Sequence, residues 1–438
     1  MWFAKRFFLL LALAATAGFI PASFAMPAIQ HWTTANGARV YFVQAPQLPM
    51  LDVRVVFDAG SARDEQQPGR ALLTNALLAE GAGKLDADAI ARRFEEVGAS
   101  FGNDSLRDMA LVTLRTLTKP ELMTQAVETA TLVLTQPSFP ADAIERERRR
   151  VLIALRGQAQ DPEEIAEKRF FQVLYGNHPY GHLPVGDEQS LKALTRADLI
   201  QHYRRYYVGR NAVVAIVGDL DRPAAERLAE QMVGKLPAGE AAPALPPVPA
   251  FTDGARHDVV FPSTQTHILA GEPGMRRDDP DYFPLYVGNH ILGGSGLVSR
   301  ISDEVREKRG LAYSAYSYFS PMRVEGPFVL GLQTATANTE QALGVLRETL
   351  KAFTVQGPTP MELDAAKKNI TGGFPLAVDS NSDIVQYLAV IGFYRLPLDY
   401  LDTFNARVQA VTVEQIRDAF SRRVHPDGLA VVTVGKAS

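Results

Sequence analysis

The chain has 438 residues, with 45 lysines and arginines against 49 aspartates and glutamates, and no cysteine. A formal charge of −4, spread evenly, leaves no electrostatic footprint for nucleic acid. The missing cysteines exclude a disulfide framework, a lipid-modified cysteine and a thiol nucleophile, and the length accommodates at least two domains with full cores.

Residues 1–25, MWFAKRFFLLLALAATAGFIPASFA, carry Lys5 and Arg6, then an apolar run from Phe7 to Ala17, then the small residues Ser23 and Ala25. That is the grammar of a secretory signal peptide, and Gly18 and Pro21 argue against a retained anchor. No later stretch is long and apolar enough to span a bilayer. The expected product is a soluble exported chain, periplasmic in a bacterium.

From Trp32 to Val43 the sequence reads as a hairpin turning at Asn36-Gly37, and Leu51 to Phe57 as a strand. A helix is predicted from about Gly69 to Ala79, carrying Leu72, Leu73, Leu77 and Leu78 and stopping at Gly81. Asp161-Pro162-Glu163-Glu164 combines a cap, a proline at the first helical position and acids facing the positive end of the dipole, so a helix runs from there to Tyr175 and ends at Gly176.

Two pairs of segments repeat. Phe57–Asp64 (FDAGSARD) resembles Gly271–Asp278 (GEPGMRRD), with Gly60 aligned on Gly274. Ala193–Asp219 resembles Ala410–Lys436, in the same order and at nearly the same offset. In each copy a threonine (Thr195, Thr412) is placed to cap an amphipathic helix, and a valine-rich strand ending in Gly218 or Gly435 follows. Between the halves, Leu236 to Phe251 holds five prolines, the signature of a semi-rigid, extended linker. The predicted organisation is a signal peptide (1–25), an N-terminal domain (26–236), a linker (237–252) and a homologous C-terminal domain (253–438). Strands and long helices cluster rather than alternate strictly, so the fold class is α+β, each domain a mostly antiparallel sheet packed with helices.

In the second half, Leu297 to Phe319 reads as a helix turning into a strand. Leu297, Ile301 and Val305 fall four apart, Glu304 faces Lys308, and Gly310 supplies the stop. Strict alternation would put Leu311, Tyr313, Ala315 and Ser317 on one strand face. A tight reversal at Gly310 would bring Arg306 and Tyr313 together, two donors able to hold the carbonyl oxygens of an extended peptide. On these residues alone, a solvated Arg306 and a packed Tyr313 are the simpler reading.

GSARDE (60–65), the GRALLTNALLAEG run (69–81), HPYG (178–181), LTRADLIQHYRRYYVGRNAVVAIVGD (194–219) and, above all, LGGSGLVSRISDEVREKRGLAYS (292–314) resemble the pitrilysin/insulinase metallopeptidases, the inverzincins of peptidase family M16. The resemblance covers residues 28 to 435. It implies two homologous α+β domains, and two such chains closing as a clamshell over unfolded peptides. The family's chemistry rests on His-x-x-Glu-His, two histidines binding zinc and the glutamate acting as general base, with a further glutamate downstream as third ligand. By that resemblance the first histidine falls on Leu72, the base on Asn75 and the second histidine on Ala76. The downstream ligand falls in Val151–Leu155, which holds no carboxylate. Leucine and alanine cannot coordinate zinc, and a neutral amide cannot take the proton. No metal and no catalytic residue are therefore expected in this chain.

Other histidines offer little. His178 and His182 are four apart, but Pro179 and Gly181 break the helix between them, and His290 stands alone. No Gly-x-Ser-x-Gly is present, Gly293–Gly296 lacks the lysine of a phosphate loop, and Arg146–Arg150 is interleaved with acids.

The bacterial branch of the family divides labour between two chains, one bearing the zinc motif and the other an Arg/Tyr pair, which here falls on Arg306 and Tyr313. The resemblance thus implies a non-catalytic, substrate-binding subunit, inactive alone, whose zinc resides in a homologous HxxEH-bearing partner of a heterodimer, and which positions unfolded peptides. An extended peptide could also pair with a sheet edge. The alternative is a peptidase-like binding or scaffold protein without a proteolytic partner.

Overall fold

The Asn36-Gly37 turn, with Gly37 at φ +93°, folds β1 (Gln30–Thr33) back onto β2 (Arg39–Gln44). The computed structural model describes residues 28–251 and 254–436, so the expected signal peptide lies outside the described residues. β3 (Met50–Phe57), a short pair β4 (Gly81–Ala82) and β5 (Leu85–Asp86), β6 (Ser100–Ser105), β7 (Ala110–Leu117) and β8 (Ala212–Gly218) follow in the first half. β9 (Arg256–Val260), β10 (Gln265–Met275), β11 (Ala312–Phe319), β12 (Gly326–Ala335) and β13 (Ala430–Gly435) belong to the second.

The first sheet runs β1-β2-β8-β3-β7-β6 and the second β11-β12-β10-β13-β9. Among the described strands only β2–β8 and β9–β13 pair in parallel; the other pairs are antiparallel. The duplication in the sequence is thus a duplication of topology, β2, β3, β6, β7 and β8 recurring as β9 to β13. Strand β8, AVVAIVG, is buried at every position because both sheet faces are covered there. Thr195 and Thr412 cap equivalent helices, Arg196–Tyr206 and Val413–Arg423, each closed by a capping box. Among the described residues no helix is long and apolar enough to cross a membrane.

The halves are not two independent bodies on a tether. The Pro162–Tyr175 helix of the first half, capped by Asp161, buries Phe170, Phe171 and Leu174 among Val329, Val432 and Val434 of the second sheet. Reciprocally, the Asn381–Tyr394 helix of the second half lies on β2, β3 and β8. Its Gly392 sits so close that an added Cβ would lie 2.6 Å from Tyr41 and Val213. Of three buried clusters among the described residues, only one is drawn from a single half.

Residues 237–251 form neither helix nor strand, as the prolines predict, yet they are tied down. The carbonyls of Pro237 and Ala238 accept from Gly209 (2.8 Å) and Arg210 (3.0 Å), and Leu245, Val248 and Phe251 pack beside the exchanged Pro162–Tyr175 helix. His178 belongs to this strap. Its Nδ1 accepts from the Tyr180 N–H at 3.1 Å, so its Nε2 donates to the Pro246 carbonyl at 3.0 Å, and neither nitrogen is left for a metal.

Buried polar groups fasten the junction. Asp108, at the tip between β6 and β7, accepts from the hydroxyl of Tyr180, from that of Tyr394 at 2.9 Å and from the Arg323 N–H at 2.8 Å. Tyr394 ends one exchanged helix, and Arg323 lies between β11 and β12. Removing the shared acceptor strands three donors from both halves. Asp108→Ala is expected to cost about 2–4 kcal/mol in urea unfolding, with Asp108→Asn intermediate; an alanine variant as stable as the parent refutes this role.

Candidate functional site

Ser299 caps the segment that carries Arg306, its Oγ accepting from the Ser302 N–H at 3.3 Å. The helix therefore starts at Arg300, and Leu297, expected on its buried face, precedes it and is 62% exposed; Ile301 and Val305 are buried. After one turn the helix widens at Asp303–Glu307 into a π-turn, a geometry frequent at functional sites. It closes as the glycine predicts: Gly310 at φ +60° donates to the Arg306 carbonyl (2.8 Å), the 5→1 bond of a left-handed glycine stop, and Leu311 donates to the Val305 carbonyl (2.9 Å) across the widened turn.

The strand departs from strict alternation. Ala312 opposes Thr334 and Ala315 opposes Leu332, so Tyr313 and Ser314 together face the single Gln333. This bulge turns both outward, and Tyr313 does not share the face of Ala315 and Ser317, which are buried. Tyr313 is 85% exposed, and the Arg306 guanidinium carbon lies 5.0 Å from its ring centroid. Turn and bulge thus bring the two together. Arg306 makes one loose ion pair among the described residues, to Glu307 at 3.6 Å, so its donors remain available.

The segment is pinned from behind. Arg300 forks onto Glu362 at 2.5 and 2.6 Å, and Glu362 also accepts from the Thr359 N–H at 2.7 Å, closing the cap of the Pro360–Gly373 helix. Burial pushes the Glu362 carboxyl up, but Arg300 and Thr359 outweigh it and hold it down at about 2. Beside β11, the amide of Asn289 donates to the Ser317 carbonyl at 3.0 Å and accepts from its hydroxyl at 2.7 Å. Gly293 lies so near that an added Cβ would stand 2.4 Å from the Ser317 nitrogen. β11 is therefore an edge strand whose middle is already covered, and it offers no continuous free edge to an incoming strand.

In the first half, Leu72, Asn75 and Ala76 sit on the Arg70–Ala76 helix. Asn75 is 1% exposed, and its amide nitrogen donates to the Tyr207 hydroxyl (3.1 Å) and toward the Leu111 carbonyl (3.4 Å). Asn103 of β6 donates to the Asn75 carbonyl. Asn289 is the repeat counterpart of Asn75, and Ser317 that of Asn103, at the same offset as Gly60 and Gly274, so each half ties the same helix to its edge strand. The repeat offset was the signal that could have revealed this tie in the sequence. Residues 151–155 hold no carboxylate, and among the described residues no group of three histidine, aspartate or glutamate side chains is placed to hold a metal ion.

Residues 39–186 match the family described as Insulinase (Peptidase family M16), and residues 193–370 that described as Peptidase M16 inactive domain. The crystal structure of a peptidase M16 inactive domain from Pseudomonas fluorescens is 41% identical, with a TM-score of 0.91, over 94% of this chain and 98% of that one. The chain belongs to peptidase family M16. Two further M16 relatives are each 28% identical: a protein of Helicobacter pylori named non-peptidase homolog YmxG, over 85% of both chains, and an uncharacterized zinc protease of Mycobacterium leprae, over 88% of this chain and 86% of that one. Equal identity to relatives with opposite names means that overall likeness does not decide activity for this M16 chain; the side chains at the site must.

The Arg300–Glu362 fork allows a test of how that site is held. Because the folded-state carboxyl lies below the ordinary value of 4.5, the stability it contributes is complete above that pH and lost as the pH falls through about 2. Glu362→Gln should therefore lower stability at pH 7 by about 1 kcal/mol, given the screening at this partly exposed pair, and the difference should shrink steadily as the pH falls from 4.5 toward 2. Equal melting curves for both proteins at pH 7 would falsify this account.

Proposed function

We propose that this chain is a non-catalytic, substrate-holding subunit of a heterodimeric zinc metallopeptidase that acts on unfolded peptides in the periplasm. The observation that carries the reading is the Arg306–Tyr313 pair: a guanidinium held 5.0 Å from an exposed phenol ring, both with donors to spare, on a segment fixed by a cap, a left-handed glycine stop and an ion pair. Such a pair presents donors of fixed spacing to the carbonyl oxygens of an extended chain while leaving side-chain identity unread.

The residues at the degenerate motif do not fit a metal. Leu72 and Ala76 have no ligand atom, and the Asn75 amide is already engaged by Tyr207 and Leu111. Zinc and the water-activating glutamate would come from a homologous partner bearing His-x-x-Glu-His. This chain would bind and orient the peptide, where misplacement by about 1 Å can cost ~100-fold in rate.

Alone, the mature chain should bind no stoichiometric zinc and cleave no peptide. Purified from its host, it should co-elute with an HxxEH-bearing homologue, and mixing the two should restore peptidase activity. Arg306→Ala or Tyr313→Ala should then lower activity about tenfold or more with the heterodimer intact, as expected for loss of a charge-assisted bond to substrate. Unchanged activity in both variants, or one tight zinc per isolated chain with chelator-sensitive proteolysis, refutes the proposal.

A further inference from the structure

The internal repeat exposes an arginine whose partner has been withdrawn. Arg277 is the counterpart of Arg63, and Glu272 that of Asp58, both at the offset that relates Gly60 to Gly274. In the first half the pair is closed: Arg63 forks onto Asp58 at 2.7 and 2.9 Å, and both side chains are buried. In the second half Glu272 turns elsewhere. One carboxylate oxygen accepts from the backbone N–H of His425 at 2.7 Å and the other is 2.8 Å from its Nδ1.

No neighbouring acid replaces it. Asp278 is held by Arg276 at 3.1 Å, Asp279 by Arg423 at 2.7 Å and Asp281 by Arg422 at 3.0 Å. Asp383 binds Ser380, and Asp108 is saturated by Tyr180, Tyr394 and the Arg323 N–H. Among the described residues the Arg277 side chain makes no ion pair and no hydrogen bond, and its Nε is buried without a partner. Arg277 is half-buried, and a buried donor left unsatisfied, as its Nε is, costs about 1–3 kcal/mol.

Its surroundings are aromatic. The guanidinium carbon lies 5.5 Å from the ring of Tyr282 and 5.9 Å from that of Tyr394. Tyr286, Tyr387 and Tyr400 lie within range of its charge. Burial pushes the phenol of Tyr286 up to about 12 and those of Tyr387 and Tyr400 up as well, so these hydroxyls stay protonated donors at neutral pH. Rings flanking a guanidinium leave its in-plane N–H donors free, and a fork of unpaired donors suits one group above others, a planar carboxylate.

We propose that Arg277, with the phenols around it, forms a carboxylate-binding site in which a ligand takes the place that Asp58 fills against Arg63. The carboxylate could be that of a peptide or of a small free acid. The site stands on its own geometry, independent of the role given to Arg306 and Tyr313.

Calorimetric titration of the full mature chain with acetyl-tetraalanine bearing a free C-terminus, the same peptide amidated, and succinate separates the sources. Saturable binding of the free acid but not of succinate assigns a peptide terminus; binding of succinate assigns a small acid. In either case the amide should fail to bind, and Arg277→Gln should weaken binding about tenfold or more at an unchanged melting temperature. Arg276→Gln, whose parent guanidinium is engaged by Asp278, should bind as the parent does. If Arg277→Gln does not fold, Arg277→Lys, which keeps the charge and loses the fork, should show the same weakening. Binding that survives loss of the fork, equal binding of acid and amide, or no binding of either acid overturns the proposal.

Discussion

Each half of this protein completes the other's core. The Pro162–Tyr175 helix is amphipathic in a sense that only the second sheet satisfies, and the Asn381–Tyr394 helix covers β8, the most apolar strand of the first. Large side chains such as Phe170, Phe171 and Phe393 contribute about 1.5–3 kcal/mol each when buried. Pulling the halves apart would expose two sheet faces and two helix faces at once. The consequence for function is rigidity. The surface of the second half that carries Arg306 and Tyr313 is fixed relative to the first half by packing and by the Asp108 cluster, with the 237–251 strap running alongside rather than acting as a hinge.

Within that frame the two copies have diverged by reassigning bonds rather than by changing shape. Asn75 and Asn289 both stand where a helix is tied to an edge strand, but the first takes the Asn103 amide on its main-chain carbonyl and the second bonds Ser317 through its own side chain. Asp58 keeps its arginine; Glu272 has exchanged its own for His425. A glutamate introduced in place of Asn75 would meet a phenol and a carbonyl in a position 1% exposed. The first copy has absorbed this position into its core, so a carboxylate placed there would be costly to keep ionised.

Much of this was legible in the sequence. The Asn36-Gly37 turn, the Asp161, Thr195 and Thr412 caps, the Gly310 stop and the mostly antiparallel α+β architecture all follow from close neighbours in the chain, or from a repeat that needs no structure to detect. What escaped depends on longer range. Leu297 fits the helical period of Ile301 and Val305, yet the Ser299 cap starts the helix after it. The exchange of helices escaped because periodicity gives the apolar face of a helix and not the identity of the sheet it meets. The Arg300–Glu362 fork joins residues far apart in sequence and had no local signal at all.

The most informative miss is the bulge. With regular alternation Tyr313 would share the side of Ala315 and Ser317, both buried, and a tyrosine there would be claimed by the core. One extra residue opposite Gln333 costs a regular rung of the ladder and reverses the outcome, placing the ring on the surface and beside Arg306. Packing alone gives no reason to expose a tyrosine at 85% when Ala312 and Ala315, on either side of the bulge, are apolar and buried. The irregularity makes sense if the phenol is wanted outside. The glycine stop at Gly310 and the bulge at Tyr313–Ser314 are then two halves of one device, the first turning the chain back and the second rotating it, so that a guanidinium and a phenol from either side of the turn meet on one exposed surface.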